Sequence, residues 1–483
     1  MPPTSRTFRA PRGTRDAYPE DALKRRYITQ AWRDASIRHG FDEIEGPTFE
    51  HLELYTQKSG DEIVSQLFSF RRQGGDDDYA LRPEFTPTLA RMYAARANSL
   101  PRPTKWFTAG PYFRAEKPQR GRLREFLQWN CDIIGGLFEG SGFVTDETTD
   151  VDRIDQDAEV IECIVNLLRV LGIREGDAFV HVNHRSAIEG WFTKQGVSAS
   201  SIPSVFSLVD RRDRIPAEEF RRQWTALGLP LETLSEYNLL CELVRSGPNI
   251  SPIPSTGGPG YISEAGPFGV ILLPNRLAEL NMGEWFWSNP ALVRGLAYYT
   301  GMVFEVIAEG ERTVCGGGRY DNLIELFGGP PTPAVGFGMG DVVLSLLLED
   351  KGLMPQGKDL LDAVSRPQAS LRPDAFVITA DEQFDSVVKR TVATLRAGRE
   401  SEAWLQRDDR KPWDADRYAA APLHARRSYK ATRHIGKLLK DATSQHARHA
   451  VIIESDQVCN VKNLDTGEQR ENIALTDLPA HLA

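Results

Sequence analysis

The segment KWFTAGPYFRAEKPQRGRLREFLQWNCDIIG, residues 105–135, constrains the fold more than any other stretch of the chain. Both its ends are rich in aromatic and β-branched residues, and KPQRG between them carries the Pro and Gly of a turn. The pattern predicts a long antiparallel hairpin with cations on its turn. Arg114, Lys117, Arg120, Arg122 and Arg124 crowd into residues 114–124, with Lys105 nearby, against only Glu116 and Glu125. Cations that outnumber their local counter-charges call for an anionic ligand.

A chain of 483 residues is too long for one ordinary core and implies two or three domains. Its net charge of -9 argues against a protein that coats nucleic acid nonspecifically, although local basic surfaces still act over about a Debye length of 8–10 Å. The five cysteines, at 131, 163, 241, 315 and 459, form no C-x-x-C pair, so neither a zinc site nor a disulfide framework is indicated. That usage fits a reducing, intracellular compartment. No apolar run approaches the ~18–20 residues of a membrane span. The basic opening MPPTSRTFRAPRGTRD has no apolar signal region, and a cytoplasmic protein is expected, with a short organelle address as the lesser reading.

Hydrophobic periodicity places helices at 21–40 and, most cleanly, at Asp157 to Ile173. FDEIEGPTFE reads as a strand, and DYALRPEFTPTLARMYAAR as strand, Pro-bounded turn and helix. An α/β chain of the α+β kind is therefore expected, its antiparallel sheet flanked by helices. The expected organisation is a main domain from 1–184 and 288–350, an inserted, mainly helical module at 185–287, a linker at 351–372 and a compact α/β unit at 373–483. From Arg426 to Lys440 six cations occur without an acid. Omitting Arg427, their spacing of 4, 3, 4, 3 predicts one charged face of a helix, with an anionic partner.

Several stretches carry a family resemblance. FRAEKPQRGRLREFLQWNCD resembles motif 2 of class II aminoacyl-tRNA synthetases, while LVRGLAYYTGMVFE and CGGGRYDNL resemble stretches peculiar to histidyl-tRNA synthetases. LRPEFTPTLAR and PRGTRD are similar to the same family, and NVKNLDTGEQ matches the final hairpin of its anticodon-binding domain. These matches follow one another in family order over most of the chain, and only the inserted module is weakly covered.

The resemblance implies ATP-dependent ligation of histidine to tRNA(His) through a histidyl-adenylate, with Mg2+ bound alongside ATP and no metal site of the protein's own. It assigns Arg114 and Arg294 to the reacting α-phosphate, and Arg114, Glu116 and Arg122 to ATP. An arginine fork suits this task because it grips phosphate oxygens in pairs. Histidine would be bound by Glu84, Thr86, Gln128, Asp132, Tyr298 and Tyr299, since an ammonium needs carboxylates and an imidazole needs both donor and acceptor. Alternation puts Phe126, Gln128 and Asp132 on one face of their strand. Lys117, Gln119, Arg120, Arg426, Lys430, Arg433 and Lys437 would meet tRNA. GFDEIEGPTFE resembles motif 1, which implies a homodimer.

Three positions depart from the family pattern. Val343 stands where motif 3 carries an arginine, so the chain resembles a subtype lacking it. Ala297 stands where Asp is usual, and Asp132 where Glu is usual. If another cation replaces the missing arginine, Arg122 or Arg120 would be that cation. The alternative reading is a non-catalytic, histidine-sensing subunit that regulates ATP phosphoribosyltransferase. A further one is a module that binds tRNA without charging it.

Overall fold

The computed structural model describes residues 8–56, 64–136, 146–244, 273, 276–293, 298–308, 313–430 and 432–482. Its centre is an eight-stranded sheet in the order β1-β5-β6-β11-β10-β9-β7-β8. The strands are β1 (Asp42–Glu43), β5 (Thr104–Phe113), β6 (Glu125–Ile134), β7 (Ala178–His184), β8 (Phe286–Ser288), β9 (Met302–Ala308), β10 (Thr313–Arg319) and β11 (Ala334–Gly340). Only the edge pairs β1–β5 and β7–β8 are parallel. The expected hairpin is present as β5 and β6, which pair antiparallel from Thr104↔Ile134 to Phe113↔Glu125.

Period-two alternation divides β6 between the two faces of the sheet. Trp129, Cys131 and Ile133 enter a core with α1 (Pro19–Arg38), α4 (Asp146–Val170) and α10 (Asp341–Asp350). There Trp32 and Trp129 stack with centroids 6.2 Å apart, and both are fully buried. Phe126 and Ile134 face the other way, toward a second core with α3 (Thr86–Ala94) and α9 (Leu323–Leu326). A one-residue slip of β6 would exchange the two faces, so these aromatic anchors hold the register on which the site depends.

A small sheet in the order β2-β4-β3 lies beside α2 (Leu52–Thr56). Its strands are β2 (Phe49–His51), β3 (Ser69–Arg71) and β4 (Asp78–Leu81). Within 185–287, helices α5 (Arg185–Lys194), α6 (Ile202–Asp210), α7 (Ala217–Ala226) and α8 (Leu231–Val244) enclose a separate core around Phe192, Trp224 and Tyr237.

The carboxy-terminal unit has a five-stranded sheet, β15 (Ala425–Arg427), β12 (Ala375–Thr379), β16 (His449–Ile453), β17 (Val458–Asn463) and β18 (Gln469–Ala474). A two-stranded ribbon, β13 (Arg399–Glu400) with β14 (Tyr418–Ala420), completes its strands. Its helices are α12 (Asp385–Ala397), α13 (Glu402–Leu405) and α14 (Ile435–Ser444). No helix among the described residues is long and apolar enough to cross a membrane.

One local expectation is corrected, and two segments carry features the sequence did not show. Residues 351–372, expected as a linker, contain α11 (Gly357–Val364), which buries Leu360 and Ala363, and Ala369 N–H donates to Asp34 of α1 at 2.8 Å. The basic run from Arg426 is not one charged helix. Ala425–Arg427 pairs parallel with β12, and α14 starts only at Ile435. The polar side of α4 is buried as well as its apolar side. Asp155, Asp157, Glu159 and Glu162 are all buried, because α4 is held between the large sheet and the carboxy-terminal unit.

Each of these acids has a cationic partner. Asp157 takes Arg319 of β10 at 2.6 Å, and Asp155 takes Arg276 at 2.5 Å together with Lys389. Glu159 takes Lys105 at 2.7 Å and Arg396 at 2.9 Å, and Tyr429 Oη donates to it at 2.8 Å. Burial works to raise the pKa of Glu159, but Lys105, Arg396 and Arg427 overcome it and hold the carboxyl well below its ordinary range. Such desolvated pairs persist because removing either member would strand a buried charge.

Candidate functional site

The second face of the large sheet borders a cavity of about 750 Å³. β6 contributes Gln128, Asn130 and Asp132 to its wall by the alternation described above. Opposite them in the ladder stand glycines, with Gly336 against Asp132 and Gly338 against Asn130. A Cβ on Gly336 would run into Asp132, 2.6 Å from its Cγ and 2.8 Å from the Cys131 carbonyl oxygen. A Cβ on Gly318 would lie 2.6 Å from the Met302 carbonyl oxygen and 2.9 Å from the Tyr299 ring. The glycine runs of β10 and β11 thus leave room for neighbouring side chains to lie over the sheet.

One part of the cavity is acidic and aromatic. Asp132 is buried and accepts a hydrogen bond from Tyr320 Oη at 2.5 Å. Burial pushes its carboxyl up to about 7, the Tyr320 hydroxyl pulls it back, and the Glu84 charge adds to the rise. Glu84 accepts from Tyr298 Oη at 2.9 Å, and Tyr298 lies 5.0 Å from Tyr299 and 6.1 Å from Tyr320, centroid to centroid. Burial, then the Glu84 charge, raises the Tyr298 hydroxyl well above its ordinary value, so it stays a donor. Gln128 Nε2 donates to Asn130 Oδ1 at 2.9 Å. Two carboxylates, two amides and three phenols can hold a small cationic, ring-bearing molecule by both charge and plane.

Another part is lined by arginine. Arg114 follows the end of β5. Its Nε donates to the Pro83 carbonyl at 3.0 Å, and its guanidinium lies 5.2 Å from the Phe126 ring centroid. Arg122 pairs with Glu116 at 2.9 Å, and Arg124 Nε donates to the Glu116 carbonyl at 3.1 Å. The turn itself is closed by backbone bonds between Gln119 and Arg122.

The cavity wall includes nine of the residues singled out in the sequence: Glu84, Thr86, Arg114, Glu116, Arg122, Gln128, Asp132, Tyr298 and Tyr299. Arg294 lies outside the described residues. Lys117, Gln119 and Arg120 are exposed on the hairpin turn, with Arg120 held by Asp350 at 2.6 Å.

The residues expected at tRNA in the carboxy-terminal unit are spread over different elements. Arg426 pairs with Asp42 at 3.1 Å, Lys430 with Asp441 at 2.8 Å and Arg433 with Asp385 at 2.6 Å, while Lys437 is exposed on α14. Asp42 and Asp385 come from distant sequence and Asp441 directly follows the run, so the run is less unbalanced than it reads.

Sequence reasoning missed Asn130, Tyr320, Glu305 and Arg214, which also border the cavity. Asn130 was within reach by the same alternation as Gln128 and Asp132, and Tyr320 follows the glycines of CGGGRYD directly. Glu305, to which Thr313 Oγ1 donates at 2.9 Å, and Arg214 carried no such local signal.

A family model described as histidyl-tRNA synthetase matches residues 13–243 and 275–341. A histidine–tRNA ligase of Opitutus terrae is 37% identical over 355 residues, covering 72% of this chain and 76% of that protein. One from Pyrococcus furiosus is 32% identical over 388 residues, covering 80% and 82%. Among solved structures, a histidyl-tRNA synthetase from a Nostoc species is similar in fold, with a TM-score of 0.52 at 21% identity over 99% of both chains.

Proposed function

The chain belongs to the histidyl-tRNA synthetase family, and on that premise we propose that it activates histidine with ATP and passes the histidyl group to its tRNA. One observation carries the assignment to this site: a single cavity brings a paired-carboxylate, tyrosine-rich wall together with Arg114, Glu116 and Arg122.

In this reading the histidine ammonium meets Glu84, with Thr86 and Tyr298 beside it, and the imidazole meets Asp132 and Gln128. Tyr299 closes on the ring. The substrate carboxylate attacks the α-phosphorus, and the bond to the leaving pyrophosphate breaks. Arg114, together with Arg294, would stabilise the charge that gathers on the α-phosphate oxygens, where pre-positioned donors in a partly dry site act most strongly. A ribose hydroxyl of the tRNA end then attacks the histidyl carbonyl and AMP leaves. The exposed turn residues Lys117, Gln119 and Arg120 would meet that end, and Lys437 an anticodon-side phosphate.

Mg2+ would neutralise the ATP phosphates. The ion would be held mainly by phosphate oxygens and water, with one carboxylate of the cavity wall such as Glu305. Phe49, Phe70 and Tyr79 form a partly exposed aromatic cluster on the small sheet, with centroids 5.6–5.8 Å apart, and this supports a homodimer through that face. A cytoplasmic setting completes the reading.

The test is histidine-dependent exchange of labelled pyrophosphate into ATP, followed by charging of tRNA(His). Robust exchange that collapses in Arg114→Ala and Arg294→Ala is expected. Histidine binding without exchange would transfer the protein to the regulatory reading.

A further inference from the structure

The proposed reaction leaves a shortage of positive charge at the nucleotide. ATP brings several negative charges into the cavity, whose wall at the start of α10 offers Val342 and Val343 rather than a cation. Of the hairpin cations, Arg122 is already counted at the nucleotide and pairs with Glu116 at 2.9 Å, while Arg120, paired with Asp350 at 2.6 Å, is not among the residues that border the cavity. Arg15 is drawn to buried Asp341, which also accepts from Leu127 N–H at 2.9 Å and so anchors the start of α10.

One further arginine borders the cavity, and it comes from outside the sheet: Arg214, in the 3-10 turn Arg212–Arg214 that follows α6. Its ionic partner is Asp210, one turn back at 3.8 Å, with the Arg214 side chain 56% exposed. A pair that long and exposed is weak and is readily given up for a phosphate. The module that carries Arg214 is fixed to residues 290–293 of the main domain. Tyr237 Oη donates to the Pro290 carbonyl at 2.8 Å, Arg185 Nη1 donates to the Val293 carbonyl at 3.0 Å, and Val293 packs into the module's core. The module is thus anchored to the segment just before Arg294 and the tyrosines of the pocket.

We propose that Arg214 grips the β- and γ-phosphates of ATP, so that the inserted module supplies the cation that Val343 does not. The inference rests on the adenylation reading. It makes nucleotide affinity depend on a residue of the module, and the leaving pyrophosphate would be held by the same fork.

The test uses the full chain with Arg214→Ala and Arg214→Lys, each checked for an unchanged melting temperature. Pyrophosphate exchange is measured with ATP and histidine varied separately, and a non-hydrolysable ATP analogue is titrated calorimetrically. For Arg214→Ala the KM for ATP and the analogue Kd should rise about 10- to 100-fold, with the histidine KM changing by less than about twofold. Arg214→Lys should fall between, since it keeps the charge but not the fork. Unchanged ATP KM and analogue Kd would overturn the inference, and so would a loss confined to tRNA charging, which would assign Arg214 to the tRNA end. If wild type shows no histidine-dependent exchange, the adenylation reading fails instead. The calorimetric titration then decides Arg214 alone, with weaker analogue binding upholding it and equal binding overturning it.

Discussion

Replacing Tyr320 with Phe removes one hydroxyl from the cavity and should move a titration. Tyr320 Oη donates to Asp132 at 2.5 Å, and this is the contact that lowers the carboxyl pKa against the upward push of burial to about 7. A hydrogen bond to a charged group is worth about 1.5–3 kcal/mol, or about one to two pKa units, so Asp132 should then titrate near 8–9. At pH 7.5 its ionised fraction would fall from about three-quarters to about a tenth, with kcat/KM for histidine following if ionised Asp132 receives the imidazole.

The assay is the pH profile of kcat/KM for histidine in pyrophosphate exchange. The acid limb should move alkaline by one to two units on that scale, while the KM for ATP stays in place. An unmoved limb with a uniform loss at every pH would refute the reasoning and leave Tyr320 a packing role.

The same carboxyl also bears on stability. Its folded pKa lies above the unfolded value, so between pH 4 and pH 7 the native state binds more protons and stability falls as pH rises. Asp132→Asn should therefore raise the melting temperature more at pH 8 than at pH 5.

Three further outcomes are expected. Glu84→Gln should raise the KM for histidine about 10- to 100-fold without a matching change for ATP, through loss of a carboxylate for the ammonium. Gly336→Ala should lower the melting temperature by several degrees and abolish exchange, because the new methyl overpacks against Asp132 and the Cys131 carbonyl at a cost of about 1–3 kcal/mol. Lys105→Met should cost about 1.5–3 kcal/mol in denaturant unfolding, since buried Glu159 loses one charged hydrogen bond but keeps Arg396 at 2.9 Å, whereas exchanging an exposed cation such as Lys437 for Met should cost less than about 0.5 kcal/mol.

What the sequence determined by itself was local and periodic. The β5–β6 hairpin, its cationic turn, the helix–strand alternation of the carboxy-terminal unit and most of the cavity wall were legible, because alternation and turn chemistry act over a few residues. Glu84, Gln128 and Asp132, which border one cavity, could be named together because the motifs holding them are short and ordered along the chain. Tertiary structure decided what depends on distant partners. The periodicity of α4 does not say what its acids meet, and Lys105, Arg319 and Arg396, each far from α4 in sequence, pair with them where that face is buried between two units. The spacing from Arg426 to Lys440 fits a helix. However, Ala425–Arg427 adds a strand to the sheet beside β12, and Asp42, Asp441 and Asp385 take up the charge. Arg214 reached the cavity only because the inserted module packs against residues 289–293. Charge balance is a sum over space, and a single pass along the chain counts only its neighbours.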